Sequence, residues 1–405
     1  MGDVVDLVHE VHTSEIRTYL ACRQQHHWRF TEDRAPLVTP TPLEFGVAYH
    51  RAMQALYDPE HWDETNEVKW IRASMEFERA CEEQKREFIR VTEQYGLNDE
   101  QEKDYEENKK LGLGMLKWYA QYHMPKFMRP YAVEVKFRVP LLDEEGDQLY
   151  CRCIRCWNKY QLSCEEIPNW GHVSDIPYRE WRGLPLVYEG RIDAIMIDEK
   201  GNYWIVDWKT TARMMNEDAD IALELDDQVA SYCWAVMVSM GLAIRGFIYV
   251  ELKKAFPQPP TLNKVVRLGC SYSVSRNQDT DYRTFLRTVK RKDTRAYEMG
   301  LYNEFLDWLK ESGPRFIQIH TVYKSRVDLI NTGRDIASIA QEMLQSDLPR
   351  YRNTSRSRFV CVWCPFQGPC IDKQGGRDYM YALDTMYERR PRYYEQLQPS
   401  TDRKP

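Results

Sequence analysis

An α/β fold is predicted by three observations. Apolar spacing switches from helical to alternating near Tyr131. Two β-rich runs, 186–197 and 203–208, are separated only by Asp198-Glu-Lys-Gly-Asn, a turn-forming segment in which glycine supplies positive φ. A helical run over 226–244 and a strand over 246–252 follow directly. Strand, hairpin, helix and strand in that order build a sheet covered by helices.

The elements before the hairpin are mostly helical. Residues 13–22 read as a short helix capped by Thr13 or Ser14, with Ile16, Tyr19 and Leu20 at helical spacing and Cys22 at its end. A Pro-rich link, 36–42, leads to a helix over 43–57, where Phe45, Ala48, Tyr49, Ala52, Met53 and Leu56 recur every three or four positions. Residues 64–124 are charged and helical in pattern, with Trp70, Met75, Phe77, Phe88 and Ile89 as the buried stripe. Interleaved charges over 99–110 make a solvated face. Residues 131–139 alternate as a strand. Helical segments return at 281–311 and 329–344, and the tail after Pro391 is polar and frayed. The expected organisation is 1–58 as N-terminal helices, 59–128 as a helical insertion, 129–330 as the core with a Cys-rich insertion at 141–185, and 331–405 as a C-terminal helix, Cys cluster and tail.

Composition narrows the class. Hydrophobic residues form 43% of the 405, enough for a real core. A formal net charge of -6 excludes a globally basic nucleic-acid coat, though not a local basic groove. Eleven cysteines are an odd number, which argues against full disulfide pairing. The N-terminus is acidic where a signal peptide carries positive charge, and the longest uncharged run, 228–244, reads as a buried helix. A soluble, cytoplasmic protein with reduced thiols and no membrane partner is expected.

The chemistry concentrates in the hairpin. In a strand alternate residues share a face, so Asp207 and Lys209 point one way while Val206 and Trp208 point into packing. Asp193 lies on the neighbouring strand, and the turn can bring it beside Asp207. Two converging carboxylates suit a hard divalent cation, Mg²⁺ or Mn²⁺. A lysine beside it can orient or deprotonate an attacking water and counter charge on a phosphoryl group. Gln228 and Tyr232 are four apart on the following helix and share a face. His50, on an early helix, becomes a natural nitrogen donor beside two aspartates. Taken singly, each has a plain structural reading; the set is what points to phosphodiester hydrolysis.

Gly190-Arg-Ile-Asp193, Val206-Asp207-Trp208-Lys209-Thr210 and Gln228-x-x-x-Tyr232 resemble the motifs of the PD-(D/E)XK nuclease superfamily. Gly46 and His50 are similar to the Gly-x-x-x-His stretch of its RecB-type branch. The resemblance implies a restriction-endonuclease-like core, a mixed central sheet flanked by helices. It implies metal binding by His50, Asp193, Asp207 and the Trp208 carbonyl, a catalytic Lys209, and support of the site and DNA by Gln228 and Tyr232. Glu134 occupies the place of a further acidic residue. The segments 59–128 and 141–185 are longer than a minimal core needs, and the resemblance leaves them unexplained.

The cysteines fall into groups. Cys361-x₂-Cys364-x₅-Cys370 lets three thiolates converge, with Pro365, Gly368 and Pro369 permitting tight turns. Cys22 is the candidate fourth. Spacing alone leaves zinc, an iron–sulfur cluster and no metal open. AddB-type nucleases and the CRISPR-associated RecB-like exonucleases have a similar arrangement, which implies a 4Fe–4S cluster fastening the two ends of the chain. Cys151, Cys153, Cys156, Cys164 and His172 crowd the insertion, where Cys153-x₂-Cys156 is either half of a zinc knuckle completed by Cys164 and His172 or a set of reduced thiols. Cys81, Cys233 and Cys270 read as buried. A basic stretch, Arg350 to Arg358 with Tyr351 and Phe359 interleaved, is a candidate DNA grip, as is Arg191.

The expectation is a metal-dependent DNA nuclease. The resemblance implies an exonuclease on single strands or ends, in viral or bacterial recombination, repair or replication, with a helicase or recombination partner possible. The alternatives are a non-catalytic DNA-binding or assembly subunit that keeps the fold, and a zinc-stapled RNA-processing nuclease.

Overall fold

The computed structural model describes residues 7–37, 41–91, 96–153, 156–158, 178–215, 218–267, 269–313, 315–344, 349–352 and 358–389. In chain order the elements are β1 (His9–Val11), α1 (Thr13–Ala21), α2 (Arg23–His26), β2 (Arg34–Pro36), α3 (Thr41–Leu56), α4 (Asn66–Val91), α5 (Asp99–Tyr122), β3 (Met128–Pro140), β4 (Tyr150–Cys151), β5 (Leu184–Asp198) and β6 (Tyr203–Thr211). There follow α6 (Ala219–Glu224), α7 (Asp227–Met240), β7 (Ile244–Lys253), β8 (Leu262–Arg267), β9 (Cys270–Tyr272), α8 (Tyr282–Lys292), α9 (Thr294–Glu298) and α10 (Asn303–Glu311). The chain ends through β10 (Ile317–Val322), α11 (Arg326–Met343), α12 (Arg358–Cys361), α13 (Gln367–Gln374), α14 (Tyr379–Met386) and β11 (Tyr387–Arg389).

The expected α/β class holds: a mixed sheet of seven strands lies between helices. β5 is its hub. β3 runs antiparallel along one edge of β5 from Asp198 to Val187, and β4 continues that edge at Pro185 and Leu184. The other edge of β5 pairs antiparallel with β6 and, further along, parallel with β1. β7 then adds parallel to β6, and β10 antiparallel to β7.

Alternation along β6 and β7 sorts the core into two layers, and on β5 it changes phase at Asp193, so that Ile192 and Ile195 fall in one layer and Ala194 in the other. Ile192, Ile195, Ile205 and Phe247 face α7 and α11, packing with Val229, Val236, Leu329 and Ile336. Ala194, Val206, Trp208 and Val250 face α3, α4 and α5, packing with Tyr49, Met53, Phe77 and Met115. The long helices over 66–122 therefore cover one face of the sheet and share its core. A third cluster unites α8–α10 with Cys270 and Tyr272. A fourth joins Trp28 to Phe366, Leu383 and Tyr387, so the C-terminal segment packs on the N-terminal one.

Several sequence expectations change. The first helix is capped by neither Thr13 nor Ser14; His12 is the N-cap residue, and the Thr13 hydroxyl pairs with that of Tyr188 instead. The helix expected over 226–244 stops at Met240, where Gly241 takes φ 67° in the left-handed region that glycine enters freely. The run 281–311 breaks into three helices. Met75 is 60% exposed, outside the buried stripe, because α4 turns Ala73, Phe77 and Ala80 inward. Cys164, His172 and the tail after Pro391 lie outside the described residues.

Gly112 shows how tightly the helical layer meets. A Cβ there would lie 2.1 Å from the ring tip of Phe77, which is fully buried. Gly112→Ala should gain about 1 kcal/mol of helix propensity but lose about 1–3 kcal/mol to overpacking, for a net destabilisation. Urea unfolding checks this, and adding Phe77→Leu should return part of the loss. A more stable single variant would contradict the packing.

Candidate active site

Between β5 and β6 the antiparallel ladder runs from Ile197↔Tyr203 to Ala194↔Val206 and stops. The next step would pair Asp193 with Asp207. Instead Asp193 Oδ2 accepts the backbone N–H of Trp208 at 3.0 Å, and the strands part. Into that fork α3 delivers His50, whose Nδ1 lies 3.1 Å from the same Asp193 oxygen. Lys209 Nζ sits 3.0 Å from Asp207 Oδ1 and 2.9 Å from Oδ2. Gln228, in the first turn of α7, reaches Asp207 Oδ1 at 3.4 Å. The side chain of Asp207 is 3% exposed and that of Lys209 37%, so the carboxylate forms the floor and the lysine the mouth.

The local reasons are visible in packing. Trp208 is buried on the opposite face, where its ring lies 4.7 Å from Tyr57 and its indole N–H reaches the Tyr119 hydroxyl at 3.4 Å. That anchor fixes the strand, so Asp207 and Lys209 must face the other way. Asp226 caps α7 by accepting from the N–H of Gln228 at 2.7 Å and is paired with Arg17, which sets the rotation of the helix. Gly190 is glycine because a Cβ would lie 2.5 Å from the Phe137 ring. Gly46 is under no such constraint, since the nearest atom to its Cβ would be Thr210 Oγ1 at 3.8 Å.

Charge is unevenly held. Burial raises the Asp193 carboxyl, but His50 beside it, then Lys209 and the Trp208 N–H, bring it below the usual range. Burial pushes Asp207 up to about 6; Lys209 offsets part of this, and Asp193 adds to it. Burial would lower both basic groups, yet Asp193 raises His50, and Asp207 with Asp193 raises Lys209. Without a cation, Lys209 is therefore a firmly held ammonium.

The donor set fits a divalent ion. His50 Nδ1 lies 3.1 Å from Asp193 Oδ2 and Asp207 offers an oxygen from the neighbouring strand, though the three donor atoms do not all come within 4.8 Å of one another, so they would draw in around an ion. Asp207 Oδ2 is buried and takes no well-directed hydrogen bond among the described residues, although Lys209 is near. A buried carboxylate oxygen left in that state suits a metal ligand.

Other expected residues fall differently. Tyr232, one turn beyond Gln228, packs edge-on against Phe137 at 5.7 Å in the core. Glu134 stands opposite Asp193 in the β3–β5 register, with φ 50°, and holds Arg191 Nε at 2.9 Å. A positive φ on a non-glycine costs about 1–3 kcal/mol and tends to occur at functional sites. Arg191 thus points at Glu134. Sequence reading missed Tyr249 and Glu251, which β7 sets opposite Asp207 and Lys209. Glu251 is 3% exposed and accepts from the N–H of Met215 at 2.9 Å. The signal was the alternation Phe247, Tyr249, Glu251, which puts an acid on the buried face.

Cys22, Cys361, Cys364 and Cys370 come near enough to act on one another where the C-terminal segment packs on the N-terminal one. Burial pushes the Cys364 thiol up to about 11, and Cys22, Cys370 and Cys361 each add to the rise. β2 pairs with β11, Lys373 Nζ donates to Gln24 Oε1 at 2.7 Å, and Arg34 holds Asp384 at 2.7 Å, so the two termini are tied by the chain itself. Tyr351 of the basic stretch lies under Arg23, 5.0 Å from its ring, and Arg350 contacts His27 at 3.1 Å. Arg356 and the side chains of Arg358 and Phe359 lie outside the described residues.

Comparison with known families identifies the class. A model of the PD-(D/E)XK nuclease superfamily matches residues 12–371, and the chain belongs to that superfamily. Membership implies a metal-dependent nuclease acting on nucleic acid, on a restriction-endonuclease-like fold. No curated protein matches the chain. Among the described residues no helix is long and apolar enough to cross a membrane.

The raised Asp207 carboxyl has a sign that can be tested. The folded chain holds that proton more tightly than the unfolded chain, whose carboxyl titrates near the ordinary 3.8. Asp207 therefore weighs against folding once pH rises through that interval, and fully above about 6. With metal chelated, Asp207→Asn should raise unfolding free energy by about 3 kcal/mol near pH 8 and by less than about 1 kcal/mol near pH 4. Denaturant unfolding at both pH values measures this; an equal gain at both would contradict the buried-charge account.

Proposed function

We propose that the protein is a divalent-metal-dependent deoxyribonuclease, an exonuclease that works on single strands or DNA ends. The observation that supports catalysis most is the convergence of His50, Asp193, Asp207 and Lys209 in one fork, with Asp207 Oδ2 buried and lacking a directed hydrogen bond. His50, Asp193, Asp207 and the Trp208 carbonyl would hold Mg²⁺ or Mn²⁺. In an extended strand a residue's N–H and C=O leave on the same edge, and the Trp208 N–H points at Asp193. When bound, the cation supplies Lewis-acid stabilisation of the phosphoryl charge and lowers the pKa of water.

The chain's own groups do the rest. Lys209, as an ammonium at the mouth of the site, orients the attacking water and counters charge building on the phosphoryl oxygens. Gln228 donates to Asp207 Oδ1 and fixes the rotamer of that carboxylate. Tyr232 supports the helix through Phe137. Trp208 excludes water from the face behind the site, being buried against Tyr57.

Cys22, Cys361, Cys364 and Cys370 are read as ligands of a structural 4Fe–4S cluster. Burial raises the thiols of Cys364 and Cys370, and Cys22 and Cys361 raise them further, which supports the proximity such a cluster needs. DNA recombination, repair or replication, with a helicase or recombination partner in a cytoplasmic setting, is the context this reading carries.

Digestion of end-labelled single and double strands with Mn²⁺ tests the activity. Lys209→Ala should remove cleavage by at least about 10²-fold while folding and DNA binding persist. Wild-type protein that leaves both substrates uncut would end the enzyme reading. Iron and sulfide analysis of anaerobically purified protein tests the cluster: about four irons per chain are expected, and a chain without iron would overturn it.

A further inference from the structure

We propose that His9, Cys151, Cys153 and Cys156 form a second, structural metal site that binds one zinc ion. The three cysteines lie far in sequence from Cys22 and from Cys361, Cys364 and Cys370, and the set is distinct from the carboxylates in role. Their four ligand atoms all lie within 4.8 Å of one another, the single such nest of His, Cys, Asp or Glu among the described residues. His9 Nδ1 is 3.0 Å from Cys156 Sγ, across 147 positions of sequence, and Cys153 Sγ is 3.5 Å from Cys156 Sγ. A tetrahedral zinc with bonds of about 2.1–2.3 Å spaces its ligands by about 3.5–3.8 Å, so the nest needs almost no rearrangement.

The sheet builds this site. On β5, Leu184 and Leu186 share a face by period two. Cys151 pairs with Leu184 from one edge, and His9 pairs with Leu186 from the other. Directly paired residues point the same way, so β5 places the thiol and the imidazole on one side of the sheet. Cys153 and Cys156 close over them from the segment that follows β4, and the Cys156 N–H lies 3.5 Å from Cys153 Sγ. Gly183 permits the approach: its φ is 100°, and a Cβ would sit 2.6 Å from the Cys151 carbonyl oxygen.

Chemistry selects zinc. The thiols are free, though two sulfurs are close, and His9, Cys151 and Cys156 are buried. Three cysteines and one histidine form a closed, four-ligand set of the kind that holds structural zinc and leaves no position for substrate. Trp157 and Trp181, with rings 5.3 Å apart, pack into the same core cluster and shield the site. On binding, the three thiols release their protons to solvent, the imidazole binds neutral through Nδ1, and the centre carries one net negative charge. The ion would clamp the three-residue strand β1 and the start of the insertion to the hub strand. Of the ligands expected from sequence, Cys153 and Cys156 stand in the nest, and His9 and Cys151 complete it.

The test reads metal, not cleavage, so it stands whatever becomes of the nuclease assignment. Full-length protein, purified anaerobically without chelator, is analysed for zinc and iron per chain. About one zinc is expected, lost in Cys151→Ser and in Cys156→Ser with iron unchanged, while Cys361→Ser loses iron and keeps the zinc. His9→Cys should retain the metal, and its Co²⁺-substituted form should show absorption bands shifted from those of the wild type, as three sulfurs become four. Should the serine variants fail to fold, alkylation of wild-type protein decides the matter: Cys151, Cys153 and Cys156 should be protected with zinc bound and modified once it is stripped. Wild-type protein that takes up no zinc from a zinc-containing buffer, zinc unchanged in both serine variants, or thiols that react equally with and without zinc would each overturn the proposal.

Discussion

The hydrogen bond from the Trp208 amide to Asp193 is the contact around which the site is arranged. Continuing the β5–β6 ladder by one step would set two carboxylates face to face and satisfy the backbone with backbone. A side-chain carboxylate takes the amide instead, and the strands separate. A buried anion gains a donor, which offsets part of its desolvation, and the gap admits an imidazole from a helix on the far side of the sheet. The indole of Trp208, locked between Tyr57 and Tyr119, keeps the amide aimed. The apolar packing of the helical layer is thereby coupled to the position of a charged group on the other face.

Legibility in the sequence followed the range of the interaction. The hairpin was readable because period two and a turn act over few residues, and Asp207 with Lys209 come straight from it. Gln228 was readable from helical spacing, whereas the contact of Tyr232 was not, because a helix face says nothing about what it meets. His50 was placed on a helix by periodicity, but nothing local fixes its distance to Asp193. The same limit hid His9 and Cys151: their meeting depends on strands that dock on opposite edges of β5, a property of register across 147 positions or nearly so. Three-residue strands such as β1 and β11 carry too little pattern to read. Glu134 reads as an ordinary strand position, and only its positive φ shows that the backbone turns there.

The helical segment over 66–122, which a minimal nuclease core leaves unexplained, has a physical role in this chain. It supplies Phe77, Met115 and Leu116 to the cluster that contains Val206 and Trp208. Removing it would expose the rear of the catalytic strand.

The short ladder between β2 and β11 joins Pro36 to Tyr387 and Arg34 to Arg389. A chain emerging from the ribosome can assemble the hairpin and its helices well before that ladder has a second strand. Its first helices must then wait, with Trp28 uncovered, until Phe366 and Leu383 arrive. Closing so long a loop comes late and slowly, since its entropy is lost before its contacts are gained. Covering Trp28 and pairing β2 thus wait on the synthesis of the segment over 366–389.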